Sequence, residues 1–319
     1  MTSLKEIAQI IKNSKGAVIF THMRPDGDTL GCGMALSRAL SLLGIPNEVV
    51  NEGEVPERYL FLDGVRTIKR APAIDADCYI CVDTSDETRL GALSDTYLAG
   101  AKNKTTINID HHVSNKRYAQ YNFVRDRASN CENISELIQE LGVAYTPAIA
   151  EALMTGMVTD SGAFSHSDVN GDTFRAAAKM ADAGADINKI QYETIKKQSR
   201  PRAQFFLKVL SKLRFLLDDQ LAIAVVTQEL LDEFALSSDA TEGIVDFALT
   251  IDTTQVSVCL LEVRKGQYKV SLRSKGKVNV NEVAGVFGGG GHILASGCML
   301  FGEVEEVVDK IRYAVYQRL

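Results

Sequence analysis

The sequence has 319 residues, a hydrophobic share of 45%, a charged share of 24% and a formal net charge of −6. This length is enough for two domains, since domains commonly run to about 100–200 residues. An acidic chain has the wrong sign for binding long duplex nucleic acid through many phosphates. A small phosphorylated substrate stays compatible with that charge, provided that bound cations neutralise the site.

The sequence shows neither the pattern of a signal peptide nor that of a membrane-spanning segment. The N-terminus mixes helically spaced apolar residues with lysines and lacks the continuous apolar stretch of a signal peptide. No uncharged apolar run approaches the roughly 18–20 residues that a membrane span needs. The six cysteines are scattered, and a chain of this size does not require disulfides. We therefore expect a cytoplasmic protein without a membrane partner.

The first half of the chain alternates helical and strand patterns, which predicts a parallel sheet covered on both faces. Cys78 and Cys81 have zinc-like spacing, but their apolar surroundings favour a buried strand. The predicted elements, in chain order, are helix 4–13, strand 16–20, helix 29–43, strands 47–51, 78–82 and 105–109, and helices 131–141, 147–158 and 171–184.

The second half predicts a smaller mixed α/β domain. Residues 187–217 are charged and helically periodic, which indicates a connecting pair of helices. We therefore expect a catalytic domain over 1–186, a helical linker over 187–217 and a second domain over 218–319. The predicted elements of that domain are strands 221–227, 254–263 and 268–274, and helices 228–235, 239–250, 279–286 and 302–318.

Four clusters of acidic and histidine residues follow apolar runs, where side chains gather at the carboxyl edge of a parallel sheet. The clusters are HMRPDGD, VDTSD, NIDHH and TGMVTDSG. The first offers one imidazole and two carboxylates, a suitable ligand set for Mn²⁺. An Asp at a strand end is often only a helix cap or turn former. However, three of the five histidines fall in these clusters, so the sequence predicts a metal site.

The motifs HMRPDGD, VDTSD, NIDHHVSN and TGMVTDSGAF resemble those of the DHH phosphoesterase superfamily, which is named for its Asp-His-His. The second half contains VSLRSKGKVNVNEVAGVFGGGGHILASG, which is similar to the signature of the associated DHHA1 domain. The resemblance spans nearly the whole chain in the expected order. It implies an α/β fold with a parallel-sheet DHH domain, a smaller mixed DHHA1 domain and a catalytic cleft between them.

The resemblance also implies two Mn²⁺ ions per chain, with Mg²⁺ or Co²⁺ as alternatives. The implied ligands are His22, Asp26 and Asp83 for one ion, and Asp28, Asp83, His111 and Asp160 for the other. Asp83 would bridge the two ions.

The implied catalytic residues are His111, His112, Asp83 and Asp110. Asp110 would orient a histidine ligand. His112 would contact a phosphate oxygen or, as the less favoured role, protonate the leaving group.

The glycine run 288–291 is compatible either with a flexible turn or with close approach of the backbone to a nucleotide.

Two positions depart from the family pattern. Cys32 stands where many relatives have Ser, and we interpret it as a packing residue. Ser165 stands where relatives often have Arg or another long polar residue, which leaves substrate preference open. The substrate-binding residues that the resemblance implies are His112, Arg273, Ser274, Gly289, Gly290, Gly291 and His292.

The function expected from this resemblance is two-metal hydrolysis of short oligoribonucleotides, including linear dinucleotides such as pApA and pGpG, to mononucleotides, and of pAp to AMP. Among enzymes, the alternatives are a cyclic-dinucleotide phosphodiesterase and a pyrophosphatase or exopolyphosphatase. A nucleotide-binding regulatory module with a dead site is disfavoured, because it predicts the loss of a metal ligand. The sequence leaves open the substrate ranking, the direction of cleavage, the metal preference and the oligomeric state, with a homodimer as one option.

Overall fold

Short apolar strands build a five-stranded sheet in the first half of the chain. A computed structural model describes residues 2–319, which form two units that meet in sequence between Lys197 and Gln198. The elements of the first unit are α1 (Leu4–Lys12), β1 (Ala17–Phe20), α2 (Gly27–Leu42), β2 (Asn47–Val50), β3 (Cys78–Val82), α3 (Leu93–Gly100), β4 (Thr105–Asp110), β5 (Tyr121–Val124), α4 (Asn130–Glu140), α5 (Pro147–Asp160), α6 (Gly171–Asp182) and α7 (Ile187–Gln191).

The sheet of the first unit is parallel throughout, in the order β2-β1-β3-β4-β5. Successive strand residues point to opposite faces, and each face has its own apolar layer. Ile19 belongs to a cluster with residues of α1, α2, α4 and α5, whereas Phe20 packs against Tyr79 and Tyr97 on the other face. The predicted parallel sheet with both faces covered is confirmed, as is the buried strand that carries Cys78 and Cys81.

Glycines let α2 and α5 pack closely against each other. A Cβ on Gly27 would collide with Thr159, and one on Gly31 would collide with the Ala152 carbonyl. A Cβ on Gly156 would lie 2.6 Å from Asp28 Oδ1. This close packing brings an acidic residue of α2 beside the last turn of α5, where Asp160 lies.

The second unit contains a mixed six-stranded sheet in the order β10-β11-β9-β8-β7-β6, in which only β7 and β8 pair in parallel among the described strands. Its elements are α8 (Arg200–Leu210), β6 (Arg214–Leu216), β7 (Leu221–Val226), α9 (Gln228–Glu233), α10 (Ile244–Leu249), β8 (Val256–Arg264), β9 (Gln267–Ser274), α11 (Val280–Gly285), β10 (Gly290–Gly291), β11 (Ala295–Phe301) and α12 (Val304–Tyr316).

The structure differs from the predicted elements in a few short segments. Strands β5, β6, β10 and β11 and helix α3 were not predicted. β11 begins directly after the glycine-rich segment and contains Gly297, and glycine is depleted in strands. The helix predicted over 239–250 is only Ile244–Leu249, because Gly243 has a left-handed backbone with φ of 85°. The predicted domain boundaries, at residues 186 and 218, stay a prediction.

Every helix within residues 2–319 is too short or too polar to cross a membrane. The cytoplasmic location stays a prediction.

Candidate metal centre

The parallel register aligns the ends of three neighbouring strands. Phe20 of β1 pairs with Cys81 of β3, and Val82 of β3 pairs with Ile109 of β4. The residues that follow each strand therefore lie at one edge of the sheet. These residues include His22 after β1, Asp83 after β3 and His111 after β4.

His22, Asp26 and Asp83 form the first group of ligand atoms, all within 4.8 Å of one another. His22 Nε2 lies 3.3 Å from Asp26 Oδ2 and 3.5 Å from Asp83 Oδ2. Asp26 is the N-cap of α2, and its Oδ1 accepts hydrogen bonds from the backbone N–H groups of Asp28 and Thr29. The cap therefore fixes the carboxylate and leaves Oδ2 on the side of His22.

Asp28, His111 and Asp160 form the second group, also within 4.8 Å. His111 Nε2 lies 3.5 Å from Asp160 Oδ2 and 3.4 Å from Asp83 Oδ1. The two oxygens of Asp83 therefore face different groups, Oδ2 toward His22 and Oδ1 toward His111. All six residues that the resemblance implied as ligands lie at this one edge.

Asp83 has a left-handed backbone, with φ of 54°. This conformation is uncommon outside glycine, although Asp tolerates it better than most residues. Such strained residues cluster at functional sites, where the surrounding structure holds them in place. In this structure the left-handed turn at the end of β3 places the carboxylate between the two groups.

The Asp28 carboxylate is held by the N-terminus of α4. Ser129 Oγ donates to Asp28 Oδ1 at 2.6 Å, the Asn130 N–H donates to Oδ2 at 2.6 Å, and the Cys131 N–H donates to Oδ1 at 3.0 Å. The positive end of the helix dipole favours the carboxylate there. Sequence reasoning did not single out Ser129, although a Ser before an apolar helix is a recognisable N-cap signal.

His111 is oriented by a backbone carbonyl. Its Nδ1 lies 2.8 Å from the carbonyl oxygen of Arg127, so Nδ1 donates and Nε2 faces the carboxylates. The Arg127 side chain is tied to Glu136 at 3.2 Å and to Asp172 at 3.0 Å. Nothing in the sequence indicated this role, because every residue type carries a backbone carbonyl.

Asp110 contacts His112, the second of the two adjacent histidines. Its Oδ1 lies 2.8 Å from His112 Nδ1, and its Oδ2 accepts from Asn115 Nδ2 at 2.6 Å. The Nδ1 of His111 faces the Arg127 carbonyl instead, because adjacent histidines after a strand project in different directions. That Asp110 orients a histidine ligand stays a prediction.

Cys32 and Ser165, the two positions that depart from the family pattern, both contact other parts of the first unit. Cys32 is buried on α2, with Sγ 3.5 Å from Cys131 Sγ and 3.8 Å from Asp28 Oδ1. Ser165 is exposed, and its Oγ donates to the carbonyl of Gly162 at 2.6 Å.

Crowding of acids and imidazoles shifts the pKa values of the cluster. Burial lowers the pKa of His22, but the carboxylates of Asp26 and Asp83 outweigh burial and raise it to about 10. Burial, followed by the charge of Asp83, raises the pKa of Asp28 to about 6. Burial, followed by the charge of Asp28, raises the pKa of Asp160 to about 8. The cluster therefore retains protons at pH values at which isolated carboxylates and imidazoles would have lost them.

Two buried atoms in the middle of the cluster support cation binding. His22 Nε2 and Asp83 Oδ1 are buried and make no hydrogen bond to any part of the chain that the structure describes. Unpaired buried polar atoms are costly and rare. An imidazole nitrogen and a carboxylate oxygen are ordinary ligands of divalent transition metals, so the residues present fit a metal.

The substrate-binding residues predicted in the second half lie together at one end of the second sheet. Arg273 of β9 pairs with Ala295 of β11, and the Ser274 N–H donates to the Leu294 carbonyl at 3.0 Å. Arg273 Nε also lies 3.1 Å from Asp246 Oδ1. The remaining members of this group are Gly289 before β10, Gly290 and Gly291 within it, and His292 in the turn to β11.

Two glycines of the run 288–291 are required by the close packing of this segment against β11. A Cβ on Gly291 would lie 2.6 Å from the Ala295 carbonyl oxygen, and one on Gly289 would collide with the Gly297 carbonyl of β11. A Cβ on Gly290 would make an ordinary van der Waals contact, with Asn281 Oδ1 at 3.6 Å. Packing against β11 therefore accounts for two of the glycines without any ligand.

The two halves of the chain match two associated families. Residues 17–157 match the DHH family, N-terminal domain, and residues 218–319 match the DHHA1 domain. The chain belongs to the DHH/DHHA1 phosphoesterase superfamily. It is accordingly a hydrolase that acts on phosphate esters.

Similar DHH/DHHA1 proteins extend over nearly the whole length. The bifunctional oligoribonuclease and PAP phosphatase NrnA of Thermus thermophilus is 29% identical, covering 99% of this chain and 94% of that protein. A probable protein of the same name from Streptococcus mutans is 28% identical, with 98% and 99% covered. The crystal structure of an exopolyphosphatase-related protein from Bacteroides fragilis is 26% identical, with a TM-score of 0.88 and coverage of 98% and 95%.

Proposed function

We propose that the chain hydrolyses short oligoribonucleotides to mononucleotides and pAp to AMP, with two Mn²⁺ ions per chain. The observation that carries this proposal is the convergence of six imidazole and carboxylate side chains around His22 Nε2 and Asp83 Oδ1, two buried atoms that make no hydrogen bond within the described residues. The substrate class is supported by the NrnA relatives, whose names give oligoribonucleotides and PAP as their substrates.

The metal-binding residues fall into two sets that share Asp83. His22, Asp26 and Asp83 would hold one ion, and Asp28, Asp83, His111 and Asp160 the other. Two such cations lower the pKa of a water molecule and neutralise charge on the attacked phosphate.

The other residues of the site position the substrate and the ligands. Asp110 engages Nδ1 of His112, so Nε2 is the nitrogen available to a phosphate oxygen. The His112 side chain is 30% exposed, unlike the buried Asp110, and can therefore reach a bound ester. In the second domain, the side chains of Arg273, Ser274 and His292 offer a cation, a hydroxyl and an imidazole, which are groups that can bind a nucleotide.

The test is a turnover assay with Mn²⁺ and chromatographic detection of products. The substrates are pApA, a ribo-pentamer and pAp, with pyrophosphate and a cyclic dinucleotide as discriminating controls. We expect mononucleotide release from the short oligomers by the wild type and none by Asp83→Ala. Asp95→Ala, which removes an exposed carboxylate from α3, is the matched control and should keep full activity.

Three results would contradict the proposal. Cleavage of pyrophosphate alone would move the chain to the pyrophosphatase class, and cleavage of the cyclic dinucleotide alone would make it a cyclic-dinucleotide phosphodiesterase. Binding of nucleotide without Mn²⁺ and without turnover would indicate the regulatory module.

A further inference from the structure

Two stacked phenylalanines lie on segments that adjoin the metal centre. The rings of Phe164 and Phe174 have centroids 5.6 Å apart and planes inclined by 28°. Phe164 packs against the main apolar cluster of the first unit, whereas Phe174, on α6, is 55% exposed. Exposure of a large aromatic ring forgoes the free energy that its burial would contribute. The pair therefore presents a flat apolar surface to solvent.

The backbone of Phe164 is strained, and this residue lies in the loop that follows the proposed ligand Asp160. Phe164 comes four residues after Asp160, and it and Ala163 both have left-handed backbones, with φ of 65° and 56°. For a bulky residue this conformation is an outlier. Ser161 Oγ accepts from the Phe164 N–H at 2.9 Å, and His166 Nδ1 lies 2.9 Å from the Asp160 carbonyl. Strain of this kind persists where the surroundings over-determine the geometry, as at ligand-binding sites.

Phe174 is tied to the metal centre by a second, independent route. Its neighbour Asp172 lies 3.0 Å from Arg127 Nη1, and the Arg127 carbonyl lies 2.8 Å from His111 Nδ1. Thr173, directly before Phe174, donates its Oγ1 hydrogen to the buried Glu132 at 3.1 Å. The aromatic pair is therefore held in a fixed position relative to both Asp160 and His111.

We propose that the Phe164–Phe174 pair is a stacking platform for a nucleobase of the substrate, with the exposed ring of Phe174 as the contact surface. This inference rests on the proposed nucleotide substrate. Aromatic side chains stack on every base, because each base has a flat π-face, so the contact is tolerant of sequence. The platform holds one base while the adjoining phosphate lies at the metal centre. A substrate without a base, such as pyrophosphate, gains nothing from it.

The first experiment combines removal of the Phe174 ring from the protein with removal of one base from the substrate. The variant is Phe174→Ala, and the substrates are pApA and its two analogues with a tetrahydrofuran abasic residue in place of either adenosine. We expect Phe174→Ala to raise KM for pApA by about 10-fold, in the range of base–aromatic stacking. KM for the analogue that lacks the stacked base should not change. Tyr313→Ala, which removes an exposed ring from α12, is the matched control and should leave every KM unchanged.

The second experiment detects contact between the base and position 174 by fluorescence, without any turnover of substrate. The chain has no Trp, so Phe174→Trp introduces a single indole, and Tyr313→Trp is its control. The titrations use Mg²⁺, since paramagnetic Mn²⁺ itself quenches indole fluorescence. We expect AMP to quench Trp fluorescence at position 174 and not at position 313, and ribose 5-phosphate to quench neither.

The outcomes separate this inference from the proposed function. If the wild type does not hydrolyse pApA, the proposed function fails, and the AMP titration still decides whether a base binds at the platform. If the wild type hydrolyses pApA but Phe174→Ala leaves KM unchanged, or raises KM equally for pApA and both abasic analogues, the platform is overturned.

Discussion

Asp110 Oδ1 lies 2.8 Å from Nδ1 of His112, and this contact separates the roles of two adjacent histidines. His111 Nε2 faces Asp28, Asp83 and Asp160, whereas His112 is held by the buried Asp110, which our proposal leaves out of the ligand sets. We therefore predict that Asp110→Asn lowers kcat by about 10- to 100-fold, as is usual for such supporting residues, and leaves metal affinity unchanged. The measurement combines kcat at saturating Mn²⁺ with calorimetric titration of the metal.

The control for this prediction is a double-mutant cycle. Since Asp110 acts through His112, Asp110→Asn should have little further effect in a His112→Ala background. A parallel loss of metal affinity would instead mean that Asp110 supports the ligands directly.

The second prediction concerns Ser129, which is both the N-cap of α4 and a donor to Asp28. Ser129→Ala removes both interactions, so we expect a loss of stability of about 1 kcal/mol from the cap. We also expect metal affinity to weaken by about 10- to 100-fold. Ser199→Ala removes the N-cap of α8, where the hydroxyl accepts from the Arg202 N–H and contacts no proposed ligand. It should cost similar stability and leave metal affinity unchanged. Equal metal affinities for the two variants would rule out a role of Ser129 at Asp28.

The third prediction concerns Gly156, in the last motif of the metal centre. A Cβ at this position would collide with Cys131 Sγ and lie 2.6 Å from Asp28 Oδ1. Gly156→Ala should therefore destabilise the protein by about 1–3 kcal/mol through overpacking and reduce activity by displacing Asp28. Gly285→Ala, where a Cβ meets open space, is the control. Thermal unfolding and turnover of pApA check both variants, and full activity of Gly156→Ala would contradict the packing argument.

The fourth prediction concerns protons and metal binding. In the metal-free protein the pKa of Asp160 is raised to about 8 and that of His22 to about 10, so both groups hold protons at pH 7. Metal ligands must be deprotonated, so binding releases protons and tightens as the pH rises. Calorimetry of Mn²⁺ binding in buffers of different ionisation enthalpy should detect this release. A binding enthalpy that does not depend on the buffer would contradict it.

Asp160 and His22 also determine whether the stability of the metal-free protein rises or falls with pH. Both folded-state pKa values lie above the ordinary values of 3.8 for Asp and 6.5 for His. The folded state therefore binds more protons, and stability falls as the pH rises from 3.8 to about 8 for Asp160 and from 6.5 to about 10 for His22. Thermal unfolding in chelator should show this decline, and added Mn²⁺ should reduce it.

Local sequence patterns were sufficient to predict the sheet of the first unit and the edge at which its acids and histidines meet. Runs such as Ala17–Phe20 and Cys78–Val82 are apolar on both faces, which is the pattern of buried parallel strands. The carboxyl ends of parallel strands lie at the same edge of the sheet. The motifs that follow these strands therefore come together there, whatever the positions of the helices that connect them. Segments with weak patterns, such as the glycine-containing strand Ala295–Phe301, were not predictable in this way.

The finer geometry of the metal centre depended on the tertiary structure. Asp28 is held by Ser129, about one hundred residues further along the chain, and His111 by the backbone carbonyl of Arg127. The two histidines have different partners, because Asp110 contacts Nδ1 of His112 whereas the Arg127 carbonyl contacts Nδ1 of His111. The platform formed by Phe164 and Phe174 likewise depends on a strained loop. Backbone donors and acceptors are common to all residue types, so only the packing of distant segments decides which of them reach a given side chain.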